Sequence, residues 1–204
     1  CLKKLGVKIK SKNNSCEIIG KGLNNFTYKK NLILNAGNSG TLGRLIMGLL
    51  VHSKDRIKIV GDKSLSKRDF MRIINPLKNF GAKFKSNNGK LPITIMGTNH
   101  AKPIKYHENK GSAQVKSAVM LAALNTNGTT YIKAKKSRNH SELAFQHLGL
   151  KIKINKKKNY DLIKIKGKRN IKPFNYNIPS DISSSAFFIV LTALSKNSKL
   201  KIKN

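Results

Sequence analysis

"LNAGNSGTLGRLIMGLL" (residues 34–50) sets a turn rich in glycine and hydroxyls directly against an apolar helical run. A turn that only reverses direction needs one or two such residues, whereas this one carries Asn38, Ser39, Gly40 and Thr41, with Arg44 one helical turn later. Free N–H groups at a helix N-terminus point into the preceding turn with the positive end of the helix dipole behind them. Small residues there admit a close ligand and hydroxyls add donors, so the stretch reads as an anion-binding corner. Ordinary N-capping by Ser or Thr is the competing reading for any single corner of this kind.

The corner recurs. "GSAQVKSAVMLAAL" from Gly111 and "ISSSAFFIVLTAL" from Ile182 also open apolar helices after small residues, so openings near 40, 113 and 184 repeat at roughly 72 residues. Between the first two come a short strand "RIKIV" (56–60), a helix ending at Gly81 and two strands ending at Gly97. After the second come "TTYIKA" (129–134), a helix ending at Gly149 and strands ending at Gly167. Phe70, Ile73, Ile74, Leu77 and Phe80 keep helical spacing, Gly81 suits a left-handed C-cap, and Pro76 is expected to kink that helix or remove one bond. "LPITIMG" (91–97) and "DLIKIKG" (161–167) are β-branched runs closed by glycine. The densest basic run, "KIKINKKKN" (151–159), is expected to form a hairpin loop. Each unit reads strand-helix-strand-helix-strand-strand, an α/β (α+β) architecture with its third copy incomplete. Three corners at a fixed repeat point to a shared anionic cleft.

Composition narrows the function classes. The 204 residues suffice for one large domain or parts of two, and 39% hydrophobic content supports a core. No apolar run reaches the roughly 18 residues of a membrane span. The opening "CLKKLGVKIK" lacks a Met and the apolar segment of a signal peptide, and the closing "SKLKIKN" resembles a strand cut short, so the chain is expected to be a fragment. A formal charge of +34 invites a nucleic-acid reading. However, of 42 basic residues only Arg44, Arg56, Arg68, Arg72, Arg138 and Arg169 are arginines, and the lysines are scattered over every segment. Readers of bases and phosphates favour the bidentate arginine fork. Scattered lysine beside abundant Asn and Ile is expected of an A/T-rich coding bias acting on a solvated surface. Cys1 and Cys16 form no metal or redox spacing, and the five histidines give no zinc pattern. A reducing compartment follows as the default, and a cytoplasmic location is expected.

Individual side chains extend the anion theme. Arg68, where "SLSKRDF" turns into a helix, is placed to clamp a phosphate or carboxylate, with surface solvation as the alternative. Gln114 in the second helix's first turn can orient a hydroxylated substrate, while Lys116 is expected to be solvated. Ser137 and Arg138 precede another helix and can bind phosphate, with Asn139 or Ser141 as its cap. His107 and His140 are read as plain polar residues. No nucleophile with an adjacent base and no pair of clustered carboxylates is visible.

"NAGNSGTLGRL", "GDKSLSKRDFMRIINPLKNFGA", "LPITIMG", "SAQVKSAVMLAAL" and "SRNHSE", in that order and spacing, resemble the EPSP synthase family, the enolpyruvyl transferases of the shikimate pathway. The sister family acting on UDP-N-acetylglucosamine shares the fold, but the glutamine-bearing helix favours the shikimate branch. The resemblance implies the enolpyruvyl transferase fold, an inside-out α/β barrel of repeated βαβαββ units, here incomplete. Residues 1–179 would form most of one domain, its start missing, and 180–204 the beginning of the second. Phosphoenolpyruvate and shikimate 3-phosphate would bind between the domains, with no metal or cofactor required. Gly40, Arg68 and Gln114 match phosphoenolpyruvate positions. Ser112, Ala113, Gln114, Ser137 and Arg138 match shikimate 3-phosphate positions, Ala113 through its N–H alone, and Asn38 and Thr41 shape the loop. His140 stands where some members have tyrosine, and Asp69 replaces a usual proline, where its carboxylate would weaken the hold of Arg68 on an anion. Gly40 is alanine in members whose pocket is narrowed against glyphosate. The catalytic Asp and Glu would lie beyond Asn204, so these residues alone are expected to be inactive and to bind shikimate 3-phosphate weakly. The intact protein would be a cytoplasmic monomer without a specific nucleic-acid or membrane partner; a basic nucleic-acid-binding protein is the reading from another class.

Overall fold

Strand alternation and helix periodicity divide the chain as the repeat implies. The computed structural model describes residues 1–23, 25–167 and 171–203. A 3-10 turn at Leu2–Leu5 leads into β1 (Lys8–Lys12) and β2 (Ser15–Ile19). The first complete unit comprises β3 (Leu32–Asn35), α1 (Gly40–Leu49), β4 (Arg56–Val60), α2 (Lys63–Ser66), α3 (Met71–Asn79), β5 (Lys83–Asn87) and β6 (Lys90–Met96). The second comprises β7 (Lys105–Glu108), α4 (Ala113–Asn125), β8 (Thr129–Lys135), α5 (His140–His147), β9 (Ile152–Lys156) and β10 (Tyr160–Lys166), and α6 (Ile182–Leu194) follows.

The two units have one topology. Their sheets run β3-β4-β6-β5 and β7-β8-β10-β9. In each, the first pair is parallel and the others antiparallel. A parallel neighbour requires a crossover, which α1 and α4 supply. On β8, Thr130, Ile132 and Ala134 face the core while lysines face water; on β10, Asp161, Ile163 and Ile165 do the same. Packed against α1, α4 and β5, α3 buries Ile73, Ile74 and Leu77, flanked by buried Phe70 and Phe80. Gly81 takes φ +106°, as its place after α3 anticipates, and Pro76 sits within the helix rather than ending it. Proline offers no N–H, so one intrahelical bond is missing there.

Helix α4 is buried from Val115 through Asn125 on all but one position, the polar Lys116, Ser117 and Asn125 included. Its closest neighbour is α1. A Cβ at Gly48 would lie 2.2 Å from the Ala118 carbonyl oxygen, so glycine lets the two backbones touch. Thr41 and Arg44 bond Gln114, Gly48 meets Ala118, and His52 Nε2 lies 3.3 Å from the Ala122 carbonyl oxygen. These contacts ascend together along both helices, so α1 and α4 run parallel and open at the same end.

Two expectations are corrected here. "KIKINKKKN" is not a loop along its length: Ile152–Lys156 is strand β9, and only 157–159 turn into β10. Its isoleucines at 152 and 154 supply the inward face that a lysine count conceals. The closing "SKLKIKN" forms no strand among its described residues. The chain divides into two compact units, Cys1–Ile171 and Lys172–Asn204. The second unit consists of an extended lead, α6 and a closing segment, and Ser180 Oγ of the lead donates to the Lys203 carbonyl oxygen of the closing segment.

Candidate functional site

The last side chain of each leading strand fixes the turn that follows it. Asn35 Oδ1 accepts from the Gly37 N–H at 2.8 Å, Gly37 takes φ +57°, and Ser39 caps α1 by accepting from the Leu42 N–H at 3.1 Å. In the second unit, buried Glu108 accepts from the Lys110 and Gly111 N–H groups at 3.0 and 2.8 Å, and Gly111 takes φ +70°. Ser112 then caps α4 at the Val115 N–H, 3.4 Å away. Asn35 to Ser39 and Glu108 to Ser112 have the same offset of four. The hydroxyls therefore do cap, which leaves the remaining first-turn N–H groups of Gly40, Thr41, Ala113 and Gln114 for a ligand.

Asn38 joins the first corner to the next turn of chain. Its amide donates to Asp62 Oδ2 at 2.5 Å, while Asp62 Oδ1 caps α2 at the Leu65 N–H. That backbone bond is the main cause holding the Asp62 carboxyl below the usual carboxylate range, with Asn38 adding to it. Arg68 follows directly, between α2 and α3, and reaches back to the corner. A Cβ on Gly40 would lie 3.1 Å from Arg68 Nη1 and 3.3 Å from Arg44 Nη1.

Arg44 is buried to 5% exposure, and Phe70 lies beneath it at 5.2 Å from its Cζ. Its Nη1 donates to Gln114 Oε1 at 2.6 Å, and Gln114 Nε2 donates to Thr41 Oγ1 at 2.8 Å. Arginine can only donate, so it fixes which end of the Gln114 amide is oxygen. Burial, then the nearby Arg72 and Arg68 charges, lowers the Arg44 pKa, with Asp69 acting the other way. The three ion pairs among the described residues lie elsewhere, at Lys10–Glu17, Lys116–Glu142 and Lys136–Asp161. A cluster of cations without a paired carboxylate attracts an anionic ligand, and Arg44 Nε is buried with no hydrogen-bond partner among the described residues.

Asp69 does not ion-pair with Arg68 among the described residues. Its Oδ1 instead accepts from the Met71 N–H at 2.7 Å, opening α3 with a local turn bond. Ser137 and Arg138 sit just before α5, beside the first turns of α4. Among the described residues the buried Ser137 hydroxyl has no hydrogen-bond partner, and Arg138 is exposed. Lys116 corrects the sequence reading: it is buried to 1%, not solvated, because Glu142 lies 2.5 Å from its Nζ and the Arg138 carbonyl oxygen 3.0 Å away. His107 and His140 are exposed.

The sequence-derived residues therefore fall into two groups. Gly40, Thr41, Arg68 and Gln114 meet around Arg44, and Asn38 braces them through Asp62. Ser112 and Ala113 open α4, and Ser137 and Arg138 are tied to α4 through Lys116. The third small-residue corner differs in kind: its cap is Asp181, whose carboxylate occupies the end of α6 and is held at about 2 by the Ser183 and Ser184 hydroxyls and the Ser183 N–H. Glu108 and the Lys116–Glu142 pair went unread in the sequence. For Glu108 the signal was the shared offset to the capping serine; for the pair, nothing short of three-dimensional packing gives it.

The family model described as EPSP synthase (3-phosphoshikimate 1-carboxyvinyltransferase) matches residues 1–204. The 3-phosphoshikimate 1-carboxyvinyltransferase of Thermoanaerobacter sp. (strain X514) is 41% identical over 208 residues, covering 100% of this chain and 47% of the relative. That of Vesicomyosocius okutanii is 42% identical over 200 residues, covering 97% and 45%. The solved EPSP synthase from Acinetobacter baumannii superposes with a TM-score of 0.80 at 35% identity, covering 94% of this chain and 43% of that one. The chain thus spans about half the length of the curated relatives it matches. Its duplicated βαβαββ topology and its full-length match agree: the chain belongs to the EPSP synthase family.

Proposed function

We propose that this chain supplies one substrate-binding half of an enolpyruvyl transferase that joins phosphoenolpyruvate to shikimate 3-phosphate. The carrying observation is the Gly40 corner, where Arg44 and Arg68 converge, Gln114 bridges to Thr41, and no carboxylate pairs with the cations. Phosphoenolpyruvate, with a carboxylate and a phosphate, suits two guanidiniums and free helix N–H groups. Gln114 touches both substrates. Ser112, the Ala113 N–H, Ser137 and Arg138 hold shikimate 3-phosphate, and the partnerless Ser137 hydroxyl gains an acceptor when phosphate arrives.

In the reaction the C5 hydroxyl of shikimate 3-phosphate adds to C2 of phosphoenolpyruvate while C3 takes a proton. The tetrahedral adduct then loses phosphate and a C3 proton, restoring the enol double bond. This chain's residues bind and orient both anions, and their fixed positive charge keeps the phosphate leaving group ionised. Residues 1–179 act as most of one domain and 180–204 as the start of the second, in a cytoplasmic monomer.

The test is phosphate release from phosphoenolpyruvate and shikimate 3-phosphate by the full reading frame carrying this chain. Arg68→Ala is expected to lower kcat/KM for phosphoenolpyruvate roughly a hundredfold, as loss of a charge-assisted bidentate contact does. Unchanged turnover in that variant would refute the assignment.

A further inference from the structure

Lys116 and Glu142 form a buried ion pair that the substrate-binding residues do not include. Both side chains are at most 2% exposed, and apart from Lys116 neither oxygen of Glu142 has a partner among the described residues. A buried pair of this kind seldom raises stability over an apolar pair of equal volume, so its retention calls for a different role. The geometry offers one. Lys116 lies two residues after Gln114, and the same Nζ that meets Glu142 donates to the Arg138 carbonyl oxygen at 3.0 Å. One residue further on, Ser117 Oγ and Ser141 Oγ are 2.6 Å apart, a second stitch between α4 and α5. The loop at 137–139 lacks regular structure, and Arg138 itself is exposed, so its backbone position depends on such stitches.

We infer that Lys116, held by Glu142, is a positioning residue: it ties the Ser137–Arg138 corner to α4 and so sets the spacing between the two halves of the shikimate 3-phosphate cradle. This rests on the proposed function. Lysine suits the task because one ammonium has three donors, one for the carboxylate and one for the carbonyl. Glu142 aims the ammonium within a dry environment. No proton moves in this role.

The decisive variant removes both charges at once, Lys116→Met with Glu142→Met, which avoids stranding a buried carboxylate. Thermal melting is expected to stay within a few degrees of wild type, showing that the variant folds. In the full reading frame, KM for shikimate 3-phosphate is expected to rise roughly tenfold or more, with kcat and KM for phosphoenolpyruvate within about threefold, since a shift near 1 Å in a binding group has effects of this order. Amide exchange at 137–139 is expected to quicken in the same variant. A purely structural pair would not move one substrate's KM selectively. A folded double variant with an unchanged KM for shikimate 3-phosphate overturns the inference while leaving the proposed function intact. A wild-type protein unable to turn over the two substrates overturns the function itself, and the inference with it, before any variant is compared.

Discussion

A methyl group on Gly40 would stand 3.1 Å from Arg68 Nη1 and 3.3 Å from Arg44 Nη1, both closer than ordinary van der Waals contact. The neighbours are the ends of side chains, so they can yield by a few tenths of an ångström, but they are also the groups proposed to grip the anion. Gly40→Ala is therefore expected to fold normally, since alanine is the better helix former by about 1 kcal/mol in a helix interior and less at its first residue. Its cost falls on the ligand: KM for phosphoenolpyruvate should rise several-fold, and inhibition by the longer glyphosate should weaken more than that. Steady-state inhibition of the full reading frame checks this, and equal inhibition of both forms would refute it. Asp69 yields a different lesson at the same scale. From the sequence its carboxylate threatens Arg68; in the fold one of its oxygens accepts from the Met71 N–H, a donor two residues along, and its charge still acts on Arg44. Charge adjacency in sequence says little until the local backbone bonds are counted.

Between elements, the approach of α1 to α4 carries the site, because Arg44 and Gln114 meet only if those helices touch. Gly48 sets that approach. A Cβ there would fall 2.2 Å from the Ala118 carbonyl oxygen, and backbone cannot swing aside as an arginine tip can. Gly48→Ala is expected to destabilise the chain by about 3 kcal/mol, at the upper end for overpacking, and to raise KM for phosphoenolpyruvate by separating Arg44 from Gln114. Denaturant unfolding gives the first quantity; a loss below about 0.5 kcal/mol would mean that the helices are free to part. At α6 the prediction concerns pH. Hydroxyl and N–H donors lower the Asp181 carboxyl from 3.8 to about 2, so its capping is complete above about pH 4 and fades as pH falls through about 2. The Ser183 amide shift should titrate with a midpoint near 2, and a midpoint near 4 would show an unengaged carboxylate. Elements such as β4, β6, β8 and β10 were legible because alternation and closing glycines are local signals. Strand β9 was not, since lysine dominates it and only Ile152 and Ile154 betray its inner face. Of the site, the small-residue corners and Arg68 were legible for the same local reason. Lys116 was misread because its partner Glu142 lies 26 residues away, and no periodicity announces an ion pair.

Across the whole chain, the charge of +34 and the family assignment have to be reconciled. The fold does so in part by geometry: on both sheets the lysines alternate outward while isoleucines face the core, so the surplus charge lies on the solvent faces of the sheets, where Lys105, Lys133, Lys153 and Lys164 share one face. With three ion pairs among the described residues, most of these cations have no carboxylate to offset them. Self-repulsion of this kind destabilises the compact state and is screened once the Debye length falls to about 10 Å, near 0.1 M salt. The melting temperature of the chain is therefore expected to rise as sodium chloride goes from about 0.02 to 0.2 M, the reverse of a protein stabilised by surface ion pairs. The same charges should retain DNA of any sequence at low salt and release it steeply as salt increases, since each displaced phosphate contact returns counterions. Sequence preference surviving at about 0.2 M salt would mark a true nucleic-acid site. A uniform, salt-erased retention instead leaves the +34 as a property of the surface, and leaves specific anion recognition to the few buried or converging groups, Arg44, Arg68 and Gln114, whose neighbours hold them in place.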